Sequence, residues 1–415
     1  MKRIFFYWAA LFLGFVAFSG CDEVEVGGIP ITGVTLEPSA LTLPLGVQAA
    51  LTATVQPGNA KNKKVIWESN NHAVATVNSN GLVTAMAVGN ATITVRTATG
   101  NKTANCVVTV VGTGSFFSGN GTASNPYLIG SPEDLMMFAN VVNAGALGSG
   151  VYYKLSDNIN LAVYGTNLNA GEGWRPIGDA YGFTGNFDGG GFAVLGLYMN
   201  SSNLTYAGLF GRVHGKVTNL AVINANVSGA NYAGAIAGYV GSEGSITNCY
   251  VTGTVKGAQW VGGVAGFVAF NGTVRDCYAT CAVSGIQSVG GVAGGVDKDG
   301  MLTNCAALNP TITRNTGSQQ TIFGRVAGSG NLSNNVAWSG MQAINITFPT
   351  GNGSDHVNGR PVDAPEVKTA TFWTTTTSTW TGWHPDVWDV ANNRLPILKG
   401  ADGNQLNGNP PAHLL

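Results

Sequence analysis

Four cysteines, at 249, 277, 281 and 305, are the side chains in this sequence best placed by type to hold a metal or to cross-link. Their spacing argues against both. Cys249, Cys277 and Cys305 recur every 28 residues. If each 28-residue unit is one coil of a stacked structure, equivalent residues stand about 4.8 Å apart with parallel Cβ vectors, a poor disulfide geometry. Three in a row cannot all pair. Cys277 and Cys281 face one side of an extended strand but are about 13 Å apart, too far to share an ion. A row of buried thiols is expected, with one disulfide as the alternative; no metal or cofactor is expected.

Acid–base chemistry finds as little support. Hydrolysis of a polysaccharide needs carboxylates and bases converging on one face. Lys256, Arg275 and Asp276 are isolated, Asp188 sits in an Asx-turn context (Phe187-Asp188-Gly189-Gly190), and Asp297-Lys298-Asp299-Gly300 reads as a turn lacking the further ligands of a calcium loop. No His-Glu-x-x-His stretch occurs. No catalytic residue is assigned, and the chain is not expected to be an enzyme. His72, in Asn70-Asn71-His72, has no neighbouring ligand and reads as a surface residue. The remaining candidates are tryptophans: Trp373, Trp380, Trp383 and Trp388 precede Leu395-Pro-Ile-Leu398. Trp380 and Trp383 are the candidate ligand-binding residues, as a stacking platform for sugar rings; the competing expectation is an aromatic plug over the end of the fold.

Composition sets the frame for these residues. There are 60 glycines in 415 residues and only 10% charged residues, against about 25% in ordinary domains. With 20 basic against 21 acidic residues there is no field to hold phosphates, so nucleic acid is not expected as a partner. Valine, threonine, asparagine and glycine predict an all-β protein.

The chain opens with Lys2 and Arg3, an apolar run from Ile4 to Ser19, and then Phe18-Ser19-Gly20-Cys21. This pattern predicts a signal peptide over 1–20, and its end resembles the bacterial lipobox, which implies lipidation of Cys21 and anchorage to a membrane by that lipid. No later apolar run reaches the roughly 18 residues of a spanning helix. Asp22-Glu23-Val24-Glu25 begins an acidic linker, 21–30. Such residues resemble the signal that Bacteroidetes use for display on the outer face of the outer membrane. A solvated linker is the alternative, and an enterobacterial reading of Asp22 implies the inner membrane.

From Ile31 to about residue 112, seven short strands of alternating polarity predict a small β-sandwich. GVTLEPSALTL, LTATVQPGNAKNKKVIWESNN and VATVNSNGLVTAMAVGNATITV, with Trp67 in a core position, resemble the group 2 bacterial immunoglobulin-like domain. That resemblance implies a spacer or adhesive module. Cys106 has no partner there and reads as a buried thiol.

Beyond a cap expected over 113–150, the repeats Ile246–Gly253, Val274–Cys281 and Leu302–Asn309 alternate with glycine-rich runs around Gly234, Gly262 and Gly290, again every 28 residues. Such units must stack, so the expected architecture over 151–345 is a right-handed parallel β-helix, or β-solenoid. Cys249, Val251 and Val255 face inward, while Tyr250, Thr252, Tyr278 and Thr280 face outward. The repeats resemble the GLUG motif of bacterial surface proteins and of part of some immunoglobulin A1 proteases. Ser131-Pro132-Glu133-Asp134 predicts the start of a capping helix. The tryptophan-rich stretch 346–400 is the expected C-terminal cap, and 401–415 the expected disordered tail. Together these readings predict a non-catalytic surface lipoprotein acting in adhesion or as a binding scaffold, its partner a protein or glycan of a host or neighbouring cell; the alternative is a glycan-binding accessory protein, then a polysaccharide-cleaving β-helix.

Overall fold

The computed structural model describes residues 29–44, 48–111, 117–143, 149–179, 181–241, 243–315, 322–400 and 409–415. Cys21 and the acidic residues after it lie outside the described residues, as do the signal-peptide residues. Among the described residues no helix is long and apolar enough to cross a membrane.

The first part is an immunoglobulin-like sandwich. Gly33–Glu37 pairs antiparallel with Thr52–Gln56. A four-stranded sheet runs Ala40–Pro44, Thr103–Val111, Gly89–Thr97, Val65–Ser69, and a three-stranded one joins Gln48–Ala50, Leu82–Ala85 and Ala75–Val77. The alternation in Ala91, Ile93 and Val95 sends every second side chain inward, where they meet Leu36, Val55, Val108 and the buried Cys106. Trp67 packs half-buried against this core, and His72 is exposed.

The second part is a β-solenoid of eight stacked strands on its first wall, from Tyr127–Ile129 to Leu332–Ser333, all parallel. Its sheet continues to Arg360–Val362, so the coils begin before residue 151 and the pairing runs past 345. Inward rows are apolar from coil to coil, as in Val217, Ile246, Val274, Leu302 and Leu332, which are in register. Corners repeat as well. Asn219, Asn248, Asp276, Asn304 and Asn334 all adopt left-handed φ between 53° and 56°, a conformation that Asn and Asp tolerate better than other side chains. Their amides link coils: Asn219 Nδ2 donates to Asp188 at 2.9 Å, and Asn248 Nδ2 to Asn219 at 3.2 Å.

A helix, Pro132–Asn143, closes the N-terminal end. Ser131 Oγ accepts from Asp134 N at 3.1 Å, and Asp134 accepts in return from the Ser131 amide, so two orphan donors of the first turn are satisfied. Its buried face brings Phe138 against Tyr153 (centroids 4.4 Å) and Phe187 (5.5 Å).

The C-terminal stretch departs from the expected plug. Instead of sitting on the last coil, it lies along the flank of the solenoid, over an outward column that runs Ala193, Ala221, Tyr250, Tyr278, Ala306, Val336 through six coils. Part of the expected disordered tail is ordered too: residues 409–415 carry a short turn of helix, Ala412–Leu414, with Leu414 buried and His413 Nε2 donating to the Leu308 carbonyl at 2.8 Å.

Candidate functional site: three outer faces of the solenoid

The first face is the one under the C-terminal stretch, and it holds the tryptophans singled out in the sequence. Trp380 and Trp383 are each 2% exposed. Neither can offer a ring face to a sugar, so the expectation of a platform at these residues is corrected. Trp383 stacks on Tyr278 and lies 4.4 Å from Trp388 and 4.6 Å from Trp373. Anchors fix the stretch in place: Trp373 Nε1 donates to the Val367 carbonyl (2.7 Å), the Tyr278 hydroxyl donates to the Pro396 carbonyl (2.8 Å), and Asn304 both donates to Thr381 O and accepts from Thr381 N. Tyr250, Tyr278 and Thr280 do point away from the cysteine side, but all three are buried. Burial raises the acidity constants of both tyrosines well above the phenol range.

The cysteines form the expected internal row. Leu220 pairs with Cys249, and the register Tyr250, Tyr278, Ala306 next to it carries Cys277 and Cys305 along the same line. All are buried and free, as is Cys281. Their S–H groups find carbonyls: Cys277 donates to Arg275 O at 3.0 Å and Cys305 to Thr303 O at 3.2 Å. Burial pushes the Cys249 and Cys305 thiols well up and Cys281 to about 12, which removes the thiolate a metal or an oxidant would need. Among the described residues no group of three or more His, Cys, Asp or Glu is placed to hold a metal ion. Asp297 Oδ1 accepts from the amides of Asp299 and Gly300, and Asp188 Oδ1 from that of Gly190, so both turns are internally satisfied.

The second face was not anticipated. Tyr206, Tyr232 and Trp260 occupy one corner position in successive coils, each one residue before the paired Ala207, Ala233 and Val261. Their rings stack along the solenoid axis: Tyr206 on Tyr232 at 5.2 Å, Tyr232 on Trp260 at 6.5 Å with planes 5° apart. A second column stands beside them, with Arg212, Tyr239 and Phe267 in register on neighbouring strands. Phe267 meets Trp260 edge-on at 4.6 Å, and the Arg212 guanidinium lies over the Tyr206 ring at 5.1 Å. All five rings are half-buried. The repeated glycines make the cluster possible. A Cβ on Gly294 would come within 2.3 Å of the Trp260 backbone, and one on Gly266 within 2.5 Å of that of Tyr232. Only glycine lets each strand pass so close to the corner that carries an aromatic ring. The recurring Tyr-Ala-Gly and Trp-Val-Gly before each glycine run were the available signal.

The third face is a polar trough over the first coils. Two outward rows are in register there, Tyr152 with Asn186 and Lys216, and Lys154 with Asp188 and Thr218. They form the floor of a cavity of about 640 Å³, within the roughly 300–1,000 Å³ usual for ligand sites.

Comparison with known proteins adds two matched segments. Residues 30–108 match the bacterial Ig-like domain (group 2), and residues 229–256 the GLUG motif. Halomucin of Haloquadratum walsbyi is 37% identical over 146 residues, 34% of this chain and 2% of that protein. An Ig-like virion protein of Serratia phage KSP90 is 48% identical over 83 residues, 20% of this chain and 32% of that protein. The chain thus spans about a third or less of the length of these relatives. A solved structure from Bacteroides ovatus, named as a proposed immunoglobulin A1 protease, is 22% identical with a TM-score of 0.49, over 69% of this chain and 94% of the other.

Proposed function

We propose that the protein is a non-catalytic scaffold, lipidated at Cys21 and displayed on a cell surface, that binds a partner protein through the aromatic face of its solenoid. In this reading the immunoglobulin-like domain supplies reach and the solenoid carries the adhesive surface. The observation that carries it is the half-exposed cluster of Tyr206, Tyr232, Tyr239, Trp260 and Phe267 beside Arg212. Tyr, Trp and Arg dominate the binding energy of protein interfaces. Because these rings cover one another's faces, they turn edges and hydroxyls outward, which fits packing against a protein better than stacking on a sugar. Surface-type names among the relatives, halomucin and a virion protein, agree with a binding or scaffold role.

The test is adhesion of beads coated with the mature protein to host or neighbouring bacterial cells. A hot-spot residue is worth about 2 kcal/mol or more, so Trp260→Ala should lower the affinity at least about tenfold. Protease treatment of the target cells should abolish binding. Adhesion that survives both would reject the aromatic face as the docking surface. For the anchor, Cys21→Ala should release folded protein from the membrane, and shaving of intact cells with protease should remove the wild type; full resistance to shaving would contradict surface display.

A further inference from the structure

We infer that the polar trough over the first coils is a second binding site, for an extended acidic oligosaccharide. It goes beyond the aromatic face and uses none of its residues. Three features carry it: the shape of the trough, the charge left over on its floor, and an aromatic ring with its face open.

The trough does not end at the 640 Å³ cavity. Lys154, Asp188 and Asn219 also line a neighbouring space of about 320 Å³ that reaches Asp386 and Lys399 in the C-terminal stretch. The loop containing Ala123 and Pro126 forms the opposite wall. The result is one channel across consecutive strands, where side chains repeat at about 4.8 Å. That spacing is close to the length of one pyranose unit, and an open channel accepts a chain rather than a single small molecule.

Charge on the floor favours an anion. Asp188 is already committed: it accepts from Gly190 N and Asn219 Nδ2, both at 2.9 Å, and stands 3.9 Å from Lys154. Lys216 is exposed and has no acidic partner among the described residues, and the same holds for Lys399 at the far end. Three lysines therefore face two aspartates, one of them neutralised. The floor also offers the amide of Asn186 and the hydroxyl of Thr218 at fixed register, the kind of convergent polar groups that orient a hydroxyl-rich ligand.

Tyr152 supplies the stacking surface. It is half-buried and lines the cavity, yet it belongs to no ring pair among the described residues, unlike its neighbour Tyr153, which packs on Phe138. Its face is open to the apolar side of a sugar ring, as those of Tyr232, Trp380 and Trp383 are not.

Calorimetry on the full mature protein tests this with three hexasaccharides: a polyuronate, a sulfated galactan, and the methyl-esterified form of the uronate. At least one anionic hexamer should bind, more weakly as salt rises, and the uncharged ester at least about tenfold more weakly than the uronate if the site selects carboxylate. Binding of the sulfated chain alone would assign sulfate as the recognised group. Lys216→Gln should cost about fivefold and Tyr152→Ala about tenfold, with unchanged melting curves for the exposed Lys216. Trp260→Ala should leave sugar binding as it was, which separates failure here from failure of the aromatic face. The inference is overturned if neither anionic hexamer binds, if the ester binds as well as the uronate, or if Lys216→Gln and Tyr152→Ala both leave affinity unchanged.

Discussion

Two columns of stacked aromatic rings run along this solenoid, and they meet opposite fates. Tyr250 and Tyr278, in adjacent strands, lie 4.9 Å apart with planes 7° from parallel, and both are buried beneath Trp373, Trp383 and Trp388. Tyr206, Tyr232 and Trp260 form the corresponding stack at a corner and stay half exposed. The same 28-residue period builds both. A repeat can therefore place an aromatic column on any outer face, and the non-repeating C-terminal chain decides which becomes core. A face left uncovered by the protein's own chain is the one available to a partner.

The largest effect that would test this contrast is on stability. Trp373 is fully buried, hydrogen-bonded to Val367, and packed on Trp383 and Trp380. Trp373→Ala should cost about 3–5 kcal/mol, read by urea unfolding. A cost under about 1 kcal/mol would mean that the C-terminal stretch is loosely held and that the Tyr250–Tyr278 face is a surface like the other. Trp260→Ala removes an exposed-edged ring with one stacked and one edge-on neighbour, and should cost only about 1–2 kcal/mol while acting mainly on binding. Equal losses for the two substitutions would erase the distinction between them.

Much of this arrangement could be read in the residues. The sandwich followed from alternating polarity and turn residues, and the capping helix from Ser131, Pro132 and the acids after it, whose side chains do cap the first turn. The inward row of thiols followed from the period and the two-residue alternation. The covered face did not, for a physical reason: alternation assigns a side chain to a face of the sheet but says nothing of what lies on that face. Tyr250 and Thr280 were read as facing solvent because they point away from Cys249 and Cys277. The missed signal was the outward column itself, apolar in six successive coils from Ala193 to Val336, together with unbroken apolar runs such as Cys249-Tyr250-Val251, which mark strands buried on both sides. The trough was hidden for another reason. Tyr152, Asn186 and Lys216 are 34 and 30 residues apart, because the early coils carry extra segments such as the short helical turns Leu161–Val163 and Gly165–Gly171, so the 28-residue period does not align them.

The finest version of the comparison uses one atom. The Tyr278 hydroxyl is buried and donates to the Pro396 carbonyl at 2.8 Å, holding the C-terminal stretch against the strand. Phenylalanine would keep the ring stack with Tyr250 and Trp383 and leave that carbonyl without this donor, so Tyr278→Phe should cost about 1 kcal/mol. Tyr232 is half exposed and its hydroxyl can exchange a protein contact for water. Tyr232→Phe should therefore change stability by no more than about 0.5 kcal/mol. Thermal melts of the two variants beside the wild type make the measurement. If Tyr232→Phe proved the more damaging of the two, the aromatic face would be held by its own hydroxyl network, and a structural role would explain its rings as well as a docking role does.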